Sequence, residues 1–235
     1  MTVQEVVAII DRSGSMRGKE SDTIGGINST FEALKNEMEE GDNIKVSVKL
    51  FDHEEFLLYN SVDITLVPNI TSKDYVPRGQ TALLDAMGNT LAHFMEKKIK
   101  NNTCFDSCLI YIVTDGFENA SKDFTNNKIS KMIKEAEENY NIKLIYLGAN
   151  QDAIVEAAKY GISSDSAMNY DETSINSQAA YRSCAAVATR QRSGAHTSFT
   201  QAERMASISH SPPPMRANTM QPPPLKRQAT SSRLP

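Results

Sequence analysis

The chain is predicted to fold as a doubly wound α/β domain. The expected architecture is a mostly parallel six-stranded sheet with one antiparallel edge strand and helices on both faces. Three observations carry this. Short apolar runs alternate along the chain with segments whose apolar residues recur at helical spacing. The runs Val6-Val7-Ala8-Ile9-Ile10 and Cys108-Leu109-Ile110-Tyr111-Ile112-Val113 have no polar alternation, as in strands covered on both faces. Both runs lead into an aspartate, Asp11 and Asp115, and in sheets of this kind ligands gather at the carboxyl ends of strands.

The elements follow in order. After the first strand, Ile24, Ile27, Phe31, Leu34 and Met38 mark a helix that Ser21 or Asp22 could cap and Gly41 could end. Gly25-Gly26 inside it is unusual, because each glycine costs about 1 kcal/mol relative to alanine in a helix. Either close packing against the Asp11 loop or a late helix start would account for the pair. Ile44, Val46, Val48 and Leu50 alternate with polar residues as a half-exposed strand. Asp52–Glu55 then turns a hairpin into Phe56-Leu57-Leu58-Tyr59, the antiparallel edge. Leu83, Met87, Leu91 and Phe94 predict a second helix. Ile129, Met132, Ile133 and Ala136 predict a third. Lys143–Leu147 is a strand, residues 152–159 a short helix stopped by Gly161, and a last helix starts near Thr173. The sixth strand has no clear run of its own.

Residues 1–190 are taken as the folded domain and 191–235 as a disordered tail. Seven of the nine prolines lie between Pro212 and Pro235, amid Ser, Thr, Gln and Arg, and the apolar residues there are isolated. Such a segment cannot bury enough surface to offset its ordering entropy. Within the tail, Arg204…Ser207, Arg216…Thr219 and Lys226-Arg227…Thr230 have the spacing of basophilic kinase substrates.

Charge divides the same way. Residues 182–235 hold eight Lys/Arg against one acid, giving +7, and the remainder holds seventeen against twenty-eight, giving −11. An acidic body repels phosphate, which argues against nucleic acid as a partner and suits a cation site. The three cysteines, Cys104, Cys108 and Cys184, form no disulfide framework and no zinc ligand set, and point to a reducing compartment. No signal peptide or membrane span is visible, so the expected address is the cytoplasm.

The chemistry concentrates in three segments. Asp11-Arg12-Ser13-Gly14-Ser15 offers one carboxylate and two hydroxyls in a tight loop leaving a buried strand. Arg78-Gly79-Gln80-Thr81 places a threonine in a loop before a helix, and Thr114-Asp115-Gly116 places a carboxylate after the second buried strand. Hard oxygen donors of this kind suit Mg²⁺, with Mn²⁺ or Ca²⁺ as alternatives. Each segment alone also reads as a helix cap or turn. Glu118, Asn119, Asn150 and Asp152 follow strand ends and are positioned to rim the site, but turn or cap chemistry is the expected role of each.

In this order, Asp-x-Ser-x-Ser, a loop threonine and a post-strand Asp-Gly resemble the von Willebrand factor A (vWA) domain with an intact metal-ion-dependent adhesion site (MIDAS). The resemblance runs over roughly residues 3–190. It is carried by Val7–Met16, Gln80–Ala86, Thr114–Ala120 and Leu147–Asn150, and is strongest to small intracellular vWA proteins of bacteria and their phages. It implies that Ser13 and Ser15 ligate the ion directly and Thr81 directly or through water. Asp11 and Asp115 would act mainly through water and hold the serines. It also implies a protein partner that supplies a Glu or Asp to the ion. From the residues themselves, no membrane role and no enzymatic activity are expected. A second implied setting is a phosphorylation or metal-stress system of the tellurium-resistance kind, with the tail as regulatory element.

A hydrolase is the remaining alternative. A phosphatase of the haloacid-dehalogenase type needs an acid two positions after its nucleophilic Asp, and Ser13 stands there. A serine nucleophile needs a base, and the histidines are His53, His93, His196 and His210: one in a hairpin, one on a helix surface, two in the tail.

Overall fold

The first strand, β1 (Thr2–Asp11), and the fourth, β4 (Ser107–Thr114), lie side by side and parallel at the centre of the sheet, with Ile10 opposite Val113. The computed structural model describes residues 2–149 and 152–208. From β1 the chain passes through α1 (Glu20–Asn36) to β2 (Asp42–Phe51) and turns into the antiparallel edge strand β3 (Glu55–Asp63). It then returns through α2 (Leu83–Lys100) to β4, and continues through α3 (Asn126–Tyr140), β5 (Ile142–Ala149), α4 (Ala153–Lys159), β6 (Ala167–Tyr170), α5 (Ser174–Arg192) and α6 (Gln201–Ala206). The strand order is β3-β2-β1-β4-β5-β6, with every pairing parallel except β2–β3. The direction of winding therefore reverses between β1 and β4, and a crevice opens beyond their carboxyl ends.

The central strands are apolar throughout because both faces are covered. On β1, Val6, Ala8 and Ile10 face a core built with Ile27, Phe31 and Leu34 of α1 and Ala180, Cys184 and Val187 of α5. Val7 and Ile9 face a second core with Leu83, Met87 and Leu91 of α2 and Ile129 and Ile133 of α3. Each Val or Ile buried this way contributes about 1.5–3 kcal/mol. The two cores fix the ends of β1 and β4 on a rigid frame.

Several sequence expectations are corrected. Helix α1 begins at Glu20, not after a Ser21 or Asp22 cap. Lys19 occupies its N-cap position without a side-chain cap bond, while Glu20 and Asp22 sit in the first turn, where acids favour the helix dipole. Gly26 answers neither explanation offered for it: a Cβ there would lie 2.2 Å from the Tyr181 ring, so the glycine admits close packing of α1 on α5, whereas Gly25 faces open space. Strand β6 had no sequence signal because it has four residues with one in the open.

The folded region also extends beyond residue 190. Helix α5 runs to Arg192, and residues 193–208 cover the β6 edge. Thr200 and Glu203 form a reciprocal capping box on α6. Arg204 donates to the carbonyls of Ala167, Ser164 and Asp165 at 2.6–3.0 Å, and buried Ser207 donates to the Asn169 carbonyl at 2.9 Å. An open sheet edge presents unpaired carbonyls, and one guanidinium with its fork of donors takes the first of them, on Ala167, together with two carbonyls of the turn that leads into β6. The Arg204…Ser207 pattern is thus part of the fold rather than an accessible tail motif. The other two tail patterns, and Asn150, lie outside the described residues.

Candidate metal centre

Three loops meet at the crevice, and backbone hydrogen bonds lock them together. The loop after β1 takes Arg12 N–H to the Phe51 carbonyl (2.7 Å) and Gly14 N–H to the Gly79 carbonyl (3.1 Å), while Arg78 N–H returns to the Arg12 carbonyl (2.6 Å). The Thr81 loop is zipped to the loop after β4. Thr81 N–H donates to Asn119 Oδ1 at 2.9 Å, and the Thr81 carbonyl accepts from the N–H groups of Asn119 and Ala120. Tyr75 Oη donates to the Asp11 carbonyl at 2.6 Å and steadies the strand end from below.

On this frame the structure brings the five predicted residues together. Asp11, fully buried, accepts from Ser13 N–H on Oδ1 and from Thr114 Oγ1 on Oδ2, each at 2.6 Å. Ser13 Oγ and Ser15 Oγ are 2.9 Å apart, and Ser15 Oγ donates to Asp115 Oδ1 at 2.6 Å. Gly116 completes the cluster. A Cβ there would stand 3.0 Å from Thr81 Oγ1, 3.1 Å from Ser15 Oγ and 3.3 Å from Asp11 Oδ2, so a side chain in place of the glycine would crowd the space between these oxygens.

The electrostatics fit a cation. Burial raises the Asp11 pKa to about 6 in spite of the Thr114 and Ser13 hydrogen bonds, and the nearby Asp115 charge adds to the rise. Two carboxylates and three hydroxyls converge with too little counter-charge, and hard oxygen donors of this kind match Mg²⁺, Mn²⁺ or Ca²⁺. The Asp115 Oδ2 atom is engaged by the Lys19 ammonium, which also contacts Glu172 Oε1. Burial works against the Lys19 charge, but its hydrogen bond to Asp115 and its ion pair with Glu172 outweigh that and hold its pKa above the usual lysine value.

The residues expected at the rim act mostly as caps and turns. Glu118 accepts from the N–H groups of Leu84, Ala120 and Ser121, and Asp152 caps α4. Asn119 does both, since its cap-like bond is what holds Thr81 in place. Sequence reasoning missed Tyr75, Lys19, Glu172 and the organising role of Asp52.

Asp52, His53 and Glu54 have side-chain ligand atoms within 4.8 Å of one another. Asp52 Oδ2, however, already accepts from Arg78 Nε at 2.9 Å and forms an ion pair with Arg12 Nε at 3.0 Å, and Arg78 also reaches Glu54. Two guanidinium groups on the one buried carboxylate oppose a metal ion there. The trio instead ties the hairpin to both ligand-bearing loops. The available signal was the pair of arginines inside Asp11-Arg12-Ser13 and Arg78-Gly79, which need a buried acid between them.

No protein-family model and no curated protein matches the chain. Solved structures do match its fold. Proximal thread matrix protein 1 from the mussel byssus, in a form with a zinc-occupied MIDAS motif, aligns at 12% identity and a TM-score of 0.56, over 80% of this chain and 46% of that one. The chain thus spans under half the length of that protein. Manganese-loaded TRAP protein from Plasmodium vivax aligns at 16% identity and 0.51, over 72% of this chain and 68% of that one. The vWF domain of the type V pili tip protein Mfa5 from Porphyromonas gingivalis aligns at 12% identity and 0.55, over 83% and 97%.

Proposed function

We propose that this protein, whose fold is that of the von Willebrand factor A domain, holds one divalent cation and presents it to a carboxylate of a protein partner. The ion is Mg²⁺ in the first instance, and the residues that hold it are Asp11, Ser13, Ser15, Thr81 and Asp115. The observation that carries this reading is the cluster of three hydroxyls and two carboxylates: oxygens of Thr81, Ser15 and Asp11 surround the space beside Gly116, and Ser13 and Asp115 join them through the Ser15 hydroxyl. Zinc at the MIDAS motif of one structural neighbour and manganese in another support it.

The donor set also argues for recognition over turnover. A cage of carboxylates would neutralise a divalent ion, whereas hydroxyl donors leave it electrophilic, ready to take up an acidic side chain. Large apolar side chains are exposed on the segments that follow the strand ends. Phe117 follows Asp115-Gly116, Val155 lies in the first turn of α4 and Ile175 in the first turn of α5, and all are well exposed. Lys159, one helical turn from Val155, lies over the Phe117 ring at 5.9 Å, which brings Phe117 beside α4. Exposed apolar surface beside a polar centre is what a protein interface uses. The five-residue cluster contains no imidazole or amine to serve as general base. We place the protein in the cytoplasm, a reading supported by three free thiols. Among the described residues no helix is long and apolar enough to cross a membrane.

The test is a capture experiment in Mg²⁺ with the wild-type chain and Asp11→Ala, each repeated in EDTA. Metal-dependent capture lost in the variant is expected. Capture that survives both treatments refutes the reading. Hydrolysis of a generic phosphate ester by the wild type in Mg²⁺ but not by Asp11→Ala would favour an enzyme instead.

A further inference from the structure

We propose that the Lys19 ammonium is a built-in competitor of the divalent ion. It shares Asp115 with the ion and so lowers the affinity of the site and keeps the bound ion electrophilic. This rests on the five residues being a cation site, but concerns a residue outside that set.

Three observations carry it. First, Asp115 is divided: Oδ1 accepts from Ser15 Oγ, inside the cluster, and Oδ2 is taken by Lys19 Nζ from the outside. An ion held by Ser15 draws on the same carboxylate charge that Lys19 already uses. Second, Lys19 stands at the N-cap of α1, where a helix favours a short polar acceptor and where the positive end of its dipole opposes a cation. A lysine there breaks a local rule with no gain for the helix. Such departures concentrate at functional positions. Third, Lys19 is held in place from both sides. Glu172, in the segment after β6, contacts the same ammonium, and the side chains of Lys19, Asp115 and Glu172 are only 25%, 5% and 27% exposed. In so shielded a setting the repulsion between an ammonium and a divalent ion a few ångströms apart is only partly screened.

Lys19 thus compensates Asp115 when the ion is absent and withholds part of its charge when the ion is present.

The test is a titration of metal-stripped full-length protein with Mn²⁺, read by the electron paramagnetic resonance signal of the free ion. Wild type, Lys19→Met, Lys19→Arg and Asp115→Ala are compared, with folding of each checked by circular dichroism. Lys19→Gln replaces Lys19→Met if the latter does not fold. The neutral variant is expected to bind Mn²⁺ about tenfold tighter or more, Lys19→Arg to keep wild-type affinity, and Asp115→Ala to lose binding. Equal or weaker binding by the neutral variant, with Asp115→Ala still defective, overturns the competitor role and leaves Lys19 as a support for Asp115. If wild type and Asp115→Ala bind alike, the five-residue site itself fails and the competitor role fails with it.

Discussion

The Thr114 hydroxyl donates to Asp11 Oδ2 at 2.6 Å, joining the last residue of β4 to the last residue of β1. It is a side-chain bond across the point where the sheet reverses its winding, and it aims a buried carboxylate into the crevice. Thr114→Val keeps the shape and removes both the donor to Asp11 and the acceptor of the Gly116 N–H. A buried acceptor left without its donor costs about 1–3 kcal/mol. Urea unfolding in EDTA should show a loss of that size, and Mn²⁺ affinity should fall in parallel.

Gly116→Ala separates fold from site. Gly116 does not have a positive φ, so alanine is tolerated by the backbone, but its methyl would stand 3.0–3.3 Å from three of the cluster oxygens. The far-UV spectrum should be unchanged while calorimetric Mg²⁺ binding drops by about tenfold or more, the loss of roughly 1.4 kcal/mol. Full binding with alanine in place would put the ion elsewhere.

Adjacent glycines in α1 should respond in opposite directions. Gly25→Ala meets nothing within 4 Å and should stabilise the protein by about 0.5–1 kcal/mol through helix propensity. Gly26→Ala drives a methyl into the Tyr181 ring and should destabilise it by about 1–3 kcal/mol. Paired thermal melts compare them directly.

The edge cover on β6 predicts where the chain can be cut. A version ending at Ile208 should melt with the full-length protein. One ending at Arg192 loses the three carbonyl bonds of Arg204, the Ser207 contacts and buried Phe199. At about 1 kcal/mol for each hydrogen bond lost, it should melt several degrees lower and aggregate through the exposed edge.

What the sequence made legible was local. β1 and β4 are runs of buried apolar residues, so their ends, and Asp11 and Asp115 with them, could be placed. Ser13, Ser15 and Thr81 followed from loop position. What it hid was set by topology. Tyr75 reaches Asp11, Asn119 holds Thr81, and Glu172 reaches Lys19 only because distant segments converge on one crevice. Strand β6 is too short for a period to emerge. Helix α6 lies in a Ser/Thr/Arg-rich stretch whose composition hides it, although the Thr200-x-x-Glu203 capping box is a readable signal for its start.

Crystals soaked in Mn²⁺ would show by anomalous diffraction whether a divalent ion sits between Ser13, Ser15, Thr81, Asp11 and Asp115. One strong peak is expected beside Gly116, at bonding distance from Ser13 Oγ and Ser15 Oγ. A peak at the Asp52, His53 and Glu54 trio with none beside Gly116, or no peak at saturating Mn²⁺, would contradict it.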